Sequence, residues 1–133
     1  MSLVREAMVA DPLTLDAFDS ATLAGKRLSD PDVRAVLVCD DGRFVGVITR
    51  KTLVRAVVAA GRDPRSVTLG EIAEPPIFTL DAEMDLEQAF RLLEERDLER
   101  VPVTEDDRLV GVLARAVVQR RLAEDEPPAE LVE

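Results

Sequence analysis

The 133-residue chain has no histidine, no tryptophan and no tyrosine, and it carries one cysteine and four phenylalanines. Each shortage closes off chemistry. Without histidine the chain lacks the commonest general base and the commonest metal ligand, and no assembled nucleophile–base pair stands out in the sequence. The single Cys39 allows no intrachain disulfide, which fits a reducing cytoplasm. Its place in an apolar run reads as a small buried hydrophobe rather than a nucleophile. So few aromatics leave no stacking platform for single-stranded nucleic acid. No apolar run approaches the ~18 residues of a membrane span, and no secretory signal pattern opens the chain.

Basic residues are also in deficit: 17 Lys and Arg stand against 27 Asp and Glu, for a formal net charge of -10. Such a surface repels nucleic acid and anionic membranes. Part of the excess is local. Residues 124–133 hold five acids and no base beside Pro127-Pro128, the composition of a disordered acidic tail. Elsewhere the acid pairs Asp40-Asp41 and Glu94-Glu95 and the run Glu105-Asp106-Asp107 read as turns and solvated helix faces, without the spacing of a calcium loop.

What is abundant is apolar aliphatic surface, with 47% of residues hydrophobic, and it is arranged as a repeat. Shifting 1–58 onto 66–123 without gaps matches 17 positions, among them Glu6/Glu71, Asp16/Asp81, Gly46/Gly111 and Arg50/Arg115. Chance at this composition gives roughly four. Each copy reads β-α-β-β-α. A short helical turn (2–8, 68–73) precedes a strand (13–15, 77–80) and a helix (20–29, 84–96). Two strands joined by a polar turn follow (35–39 with 44–48, 101–104 with 109–113), and a helix (50–60, 115–123) closes the copy. Leu86, Ala89, Phe90 and Leu93 give the second copy a full apolar helix face. The matching Ala21, Ala24, Gly25 and Leu28 are small, which predicts close packing or a short helix. Gly61 reads as a helix C-cap and Arg62–Arg65 as the linker. The expected domains are 1–61 and 66–123, followed by the tail 124–133. A unit of about 58 residues is marginal alone, so the copies are expected to pack together, and apolar helix faces left over favour a homodimer.

Three segments recur in register. They are Val4–Met8 with Asp11-Pro12-Leu13-Thr14-Leu15, Leu98-Glu99-Arg100-Val101-Pro102-Val103, and Asp41–Arg50 with its echo Asp106–Arg115. Together they resemble a pair of cystathionine-β-synthase (CBS) domains over about residues 3–123. The resemblance implies an α+β fold, with tandem β-α-β-β-α domains packed about a pseudo-two-fold axis. It implies a cleft between the domains that takes adenosine-containing ligands (AMP, ADP, ATP or S-adenosylmethionine), with no cofactor required. It also implies pairing into a homodimeric disk of four CBS domains, and a sensing role without catalysis.

The family's nucleotide signature is Gly, two residues, Thr or Ser, two residues, then Asp or Asn. The first copy keeps Gly46 and Thr49 but has Thr52 at the acidic position; the second keeps Gly111 and has Ala114 and Val117. Gly46 reads equally as a place for close ligand approach or as tight packing. Thr49 reads as a phosphate or ribose contact, as a helix N-cap, or as both. Thr52 in place of a carboxylate is expected to weaken a ribose ligand roughly ten- to hundred-fold, because a charged hydrogen bond is lost. Arg50 and Arg115 are candidate phosphate partners or solvated charge. Thr14 and Thr79 are candidate cleft residues or plain strand members. Val36, Val38, Val101 and Val103 mark the strands that would flank the base, or are ordinary core. The leading expectation is a cytoplasmic, stand-alone regulatory module that senses an adenosine nucleotide and controls an unknown protein, with neither nucleic acid nor membrane as partner. The alternative is a ligand-free dimeric scaffold whose sites have decayed.

Overall fold

The computed structural model describes residues 2–10, 12–76 and 78–125. In chain order the elements are α1 (Val4–Ala7), β1 (Val9–Ala10), β2 (Thr14–Asp16), α2 (Ala21–Leu28), β3 (Ala35–Asp40), β4 (Arg43–Thr49) and α3 (Arg50–Leu53). A π-helical turn over Val54–Val58 extends α3. Then come α4 (Leu69–Ile72), β5 (Leu80–Asp81), α5 (Leu86–Glu95), β6 (Arg100–Glu105), β7 (Arg108–Ala114) and α6 (Arg115–Asp125). The α+β class and the repeated β-α-β-β-α order are both as expected. Ile77, assigned to a strand from sequence, and residues 126–133 of the tail lie outside the described residues. Glu124 and Asp125 belong to the end of α6.

The chain forms two compact units. One is Leu13–Ile77 with Asp106–Leu109; the other is Met1–Pro12 with Phe78–Glu105 and Val110–Glu133. The packing units therefore differ from the sequence repeats by an exchange of entry segments. The opening α1 and β1 pack with the strands of the second repeat. The α4 turn, which opens the second repeat, packs with the strands of the first.

In the first-repeat unit, β2 runs parallel to β3 (Leu15 opposite Val38), with α2 as the crossover, and β3 turns back antiparallel into β4. The hairpin turn is two residues long, and Asp41 (φ 51) and Gly42 (φ 83) are both left-handed. That is the backbone a two-residue hairpin needs to match strand twist. Leu15, Ala24, Leu28, Val36, Val38, Ile48, Val57, Val67, Leu69 and Ile72 form the core. Of the two readings of the small-faced α2, the short helix holds: it spans eight residues against ten in α5, and a Cβ on Gly25 would meet only ordinary contact, Leu53 Cδ1 at 3.9 Å.

The second-repeat unit repeats the plan. β5 runs parallel to β6 (Leu80 opposite Val103), β7 lies beside β6, and β1 adds antiparallel to β7 (Val9 opposite Val112, Ala10 opposite Gly111). Val4, Leu80, Leu86, Ala89, Leu93, Val101, Val103, Leu113 and Val118 fill its core. Full burial of one such leucine or valine stabilises by about 1.5–3 kcal/mol.

The closing helix of the first repeat departs from the expected α-helix. After Leu53 the ladder widens, and Ala59 N–H reaches Val54 O at 2.7 Å, an i to i−5 bond. Val54, Val57 and Val58 are β-branched, which lowers the preference for a regular α turn there. Gly61, left-handed at φ 68, ends the segment as the sequence predicts.

Candidate functional site

The site begins where β4 hands over to α3. Thr49, still extended (φ -119, ψ 174), is the N-cap of α3, and Thr52 is the third residue of its first turn. The two hydroxyls form a reciprocal cap. Thr52 N–H donates to Thr49 Oγ1 at 3.3 Å, and Thr49 N–H donates to Thr52 Oγ1 at 3.0 Å. A carboxylate oxygen accepts but does not donate, so the Thr52 hydroxyl gives its proton to Glu74 Oε1 at 2.9 Å. The Thr49 hydroxyl must then donate to Thr52 Oγ1, 3.1 Å away. Thr52 is 2% exposed and its oxygen is fully used. Thr49 Oγ1 keeps one free lone pair and no free proton, so an incoming phosphate oxygen has to break the Thr49–Thr52 bond to gain a donor.

Glu74 is held from behind. It exchanges two backbone hydrogen bonds with Val47 on β4, at 2.8 and 2.9 Å. The register puts Glu74 over Gly46, where a Cβ would stand 2.5 Å from the Glu74 carbonyl oxygen. The second-repeat unit uses the same device. A Cβ on Gly111 would stand 2.5 Å from Met8 Sδ and 2.8 Å from the Val9 carbonyl oxygen. Both signature glycines thus make room for an entry segment.

The other candidates are placed as follows. Arg50 Nη2 donates to the Asp30 carbonyl at 2.8 Å, and Arg115 pairs with Glu99 and, at 3.5 Å, with Asp97. Both guanidiniums are therefore engaged with the loops before β3 and β6. Val36, Val38, Val101 and Val103 are buried core members, so a base beside those strands would meet backbone rather than these side chains. Thr14 is half-buried in β2 opposite Leu37, and Thr79 is half-buried just before β5. Ala114 and Val117 stand where the first repeat has its two threonines, and no hydroxyl network exists there. Cys39 is half-buried rather than buried as the sequence predicts, and partial desolvation pushes its thiol up. Among the described residues no group of three or more Cys, Asp or Glu could hold a metal ion, and no helix is long and apolar enough to cross a membrane.

Sequence reasoning missed Glu74. It stands outside the signature, just before Pro75-Pro76, and comes to Thr52 through the β-bridge. The available signal was the repeat itself: at an offset of 65, Glu74 falls on Val9.

Comparison with known proteins agrees with this architecture. The CBS domain family matches residues 4–59 and again 69–124. Hypoxic response protein 1 of Mycobacterium tuberculosis is 33% identical over 125 residues, covering 93% of this chain and 87% of its own. A crystal structure of Hypoxic Response Protein I with two coordinated zinc ions superposes with a TM-score of 0.75 at 31% identity, over 91% of this chain and 99% of that one. A crystal structure of CBSX2 in complex with AMP gives a TM-score of 0.73 at 22% identity, over 96% of this chain and all of the other, a likeness of fold. With the signature segments, the strand order and the family match recurring twice in register, this chain belongs to the CBS-domain family as a tandem pair.

Proposed function

We propose that this CBS pair is a regulatory module that binds an adenosine-containing nucleotide, AMP, ADP, ATP or S-adenosylmethionine, at the first-repeat site and performs no catalysis of its own. The observation that carries the reading is the asymmetry between repeats. The first keeps a hydroxyl pair, Thr49 and Thr52, beside a carboxylate, whereas the second has Ala114 and Val117. The AMP complex of CBSX2, which shares the fold, supports the ligand class. Gly46, Thr49, Arg50, Thr52 and Thr14 are the first-repeat candidates, with Val36 and Val38 lending backbone. Thr79, Val101, Val103 and Arg115 belong to a reduced second site. The module acts in the cytoplasm as a homodimer controlling another protein. Val54 and Val58, 54% and 71% exposed on the first-repeat helix, supply an apolar face for pairing.

Isothermal titration with the four ligands tests the reading. Saturable heat with at least one supports it. No heat and no thermal shift with any of them at millimolar concentration overturns it.

A second reading is a ligand-free interaction module. It is favoured by how completely the site is used internally: the glycines seat entry segments and both arginines are engaged within the chain. It predicts dimerisation and partner capture indifferent to nucleotide.

A further inference from the structure

We propose that Glu74 supplies the acceptor for a ribose diol in this chain, in place of the acid missing at position 52. The proposal rests on the nucleotide reading above and assigns a residue outside the signature to its specificity.

Four observations carry it. First, the Glu74 carboxylate is already at the cap, with one oxygen 2.9 Å from Thr52 Oγ1. Its other oxygen accepts from no side chain or backbone group among the described residues, and the side chain is exposed to solvent. Second, its position is imposed from the backbone. The two hydrogen bonds to Val47 and the missing Cβ of Gly46 fix where the residue starts, and Thr52 fixes where the side chain ends. A pre-placed acceptor loses little entropy on binding. Third, the chemistry fits. A carboxylate with a free oxygen takes two hydroxyl protons from a vicinal diol, a charge-assisted pair that neither threonine can match.

The fourth observation compares the repeats. Thr49, Thr52 and Glu74 fall at an offset of 65 on Ala114, Val117 and Val9. All three polar groups stand in one unit and all three counterparts are apolar. The backbone device that seats them is nonetheless present in both, with Val47 opposite Glu74 in one and Val112 opposite Val9 in the other. The strand pairing therefore does not depend on the carboxylate. Glu74 and the two threonines are present or absent as one set.

The test compares wild type with Glu74→Gln by titration with AMP, ADP and ATP and with the 2′-deoxy analogue of each. Glutamine keeps the size, the backbone pairing and a bond to Thr52 but not the charged acceptor. The expected result is that wild type prefers the ribose form, and that Glu74→Gln weakens ribonucleotide binding about tenfold or more while weakening the deoxy form, which offers only its 3′-hydroxyl, clearly less. Equal affinity of wild type and Glu74→Gln for the ribose form overturns the role of Glu74 and leaves the nucleotide reading standing. Equal loss for both sugars also overturns it, since that marks a structural role. Absence of binding by wild type to all three nucleotides overturns the role of Glu74, and absence of binding to S-adenosylmethionine as well overturns the nucleotide reading with it. If melting shows Glu74→Gln unfolded, Glu74→Asp is read the same way, its shortened reach lowering the ribose preference; full retention of the preference overturns the proposal.

Discussion

Val47 and Glu74 are bound to each other by both of their backbone N–H groups, at 2.8 and 2.9 Å, directly over Gly46. This bridge joins the entry segment of one repeat to the signature strand of the other. Of the two readings of Gly46, close ligand approach and tight packing, it gives the packing one a physical cause. Gly46→Ala would drive a methyl to 2.5 Å from the Glu74 carbonyl oxygen, and backbone cannot swing aside as a side chain can. The expected cost is about 1–3 kcal/mol, read as a lower denaturation midpoint at unchanged slope.

Thr49→Val removes the cap acceptor of Thr52 N–H and the hydroxyl proton held by Thr52 Oγ1. It should destabilise by about 1 kcal/mol, the ordinary worth of an N-cap. In the nucleotide titration it should weaken binding far more than Ala114→Thr alters it. Equal effects at the two positions would contradict a site confined to the first repeat.

The entry turns are held by a glutamate three residues into each. Glu6 accepts from Leu3 N–H at 2.9 Å, and Glu71 accepts from Thr68 N–H at 2.8 Å while Arg62 donates to its other oxygen at 2.9 Å. The Arg62 guanidinium, with help from the Thr68 backbone and hydroxyl, holds the Glu71 carboxyl down at about 2. A carboxyl that ionises more readily in the folded state favours folding above its ordinary value of 4.5, and that advantage drains away as the pH falls toward 2. The gap in melting temperature between wild type and Glu71→Gln should be full at neutral pH, narrow across this window and close below it. Arg62 and Glu71 are both solvent-exposed, so added salt should narrow the gap as well.

The two hairpin turns differ by one residue. Asp106 (φ 52) and Asp107 (φ 65) are both left-handed, as are Asp41 and Gly42, yet the second turn lacks a glycine. Asp107→Gly removes a Cβ from a conformation that L side chains resist. It should raise stability by about 0.5–1 kcal/mol, visible as a higher melting temperature. A fall in melting temperature would mean that the Asp107 side chain contributes more than its backbone costs.

Many of the identities between repeats turn out to be structural, which explains how much of the fold was legible. Ala24/Ala89, Leu28/Leu93, Val36/Val101 and Val38/Val103 are core pairs. Asp16 and Asp81 each accept from the N–H two residues on, at 2.8 Å, and Asp41/Asp106 take the left-handed turn. These are local demands of period, cap and turn, and they are written locally. The two-residue β1 was illegible because no alternation exists over so short a run; it is a strand because β7 offers it Val112 and Gly111. Arg50 and Arg115 read as phosphate partners or solvated charge, and the folded chain gave them carbonyl and carboxylate partners 16–20 residues away.

The amino-acid sequence by itself determined the class, the duplication and the hairpins, because hydrophobic period and turn chemistry are properties of neighbours along the chain and a repeat shows when the chain is laid on itself; the family entered through the resemblance of the recurring segments. Only the tertiary structure decided what the signature residues touch. The exchange of entry segments sets Glu74 against Val47 and Thr52, more than twenty residues away in sequence, and a β-bridge rather than a motif brings the carboxylate to the cap.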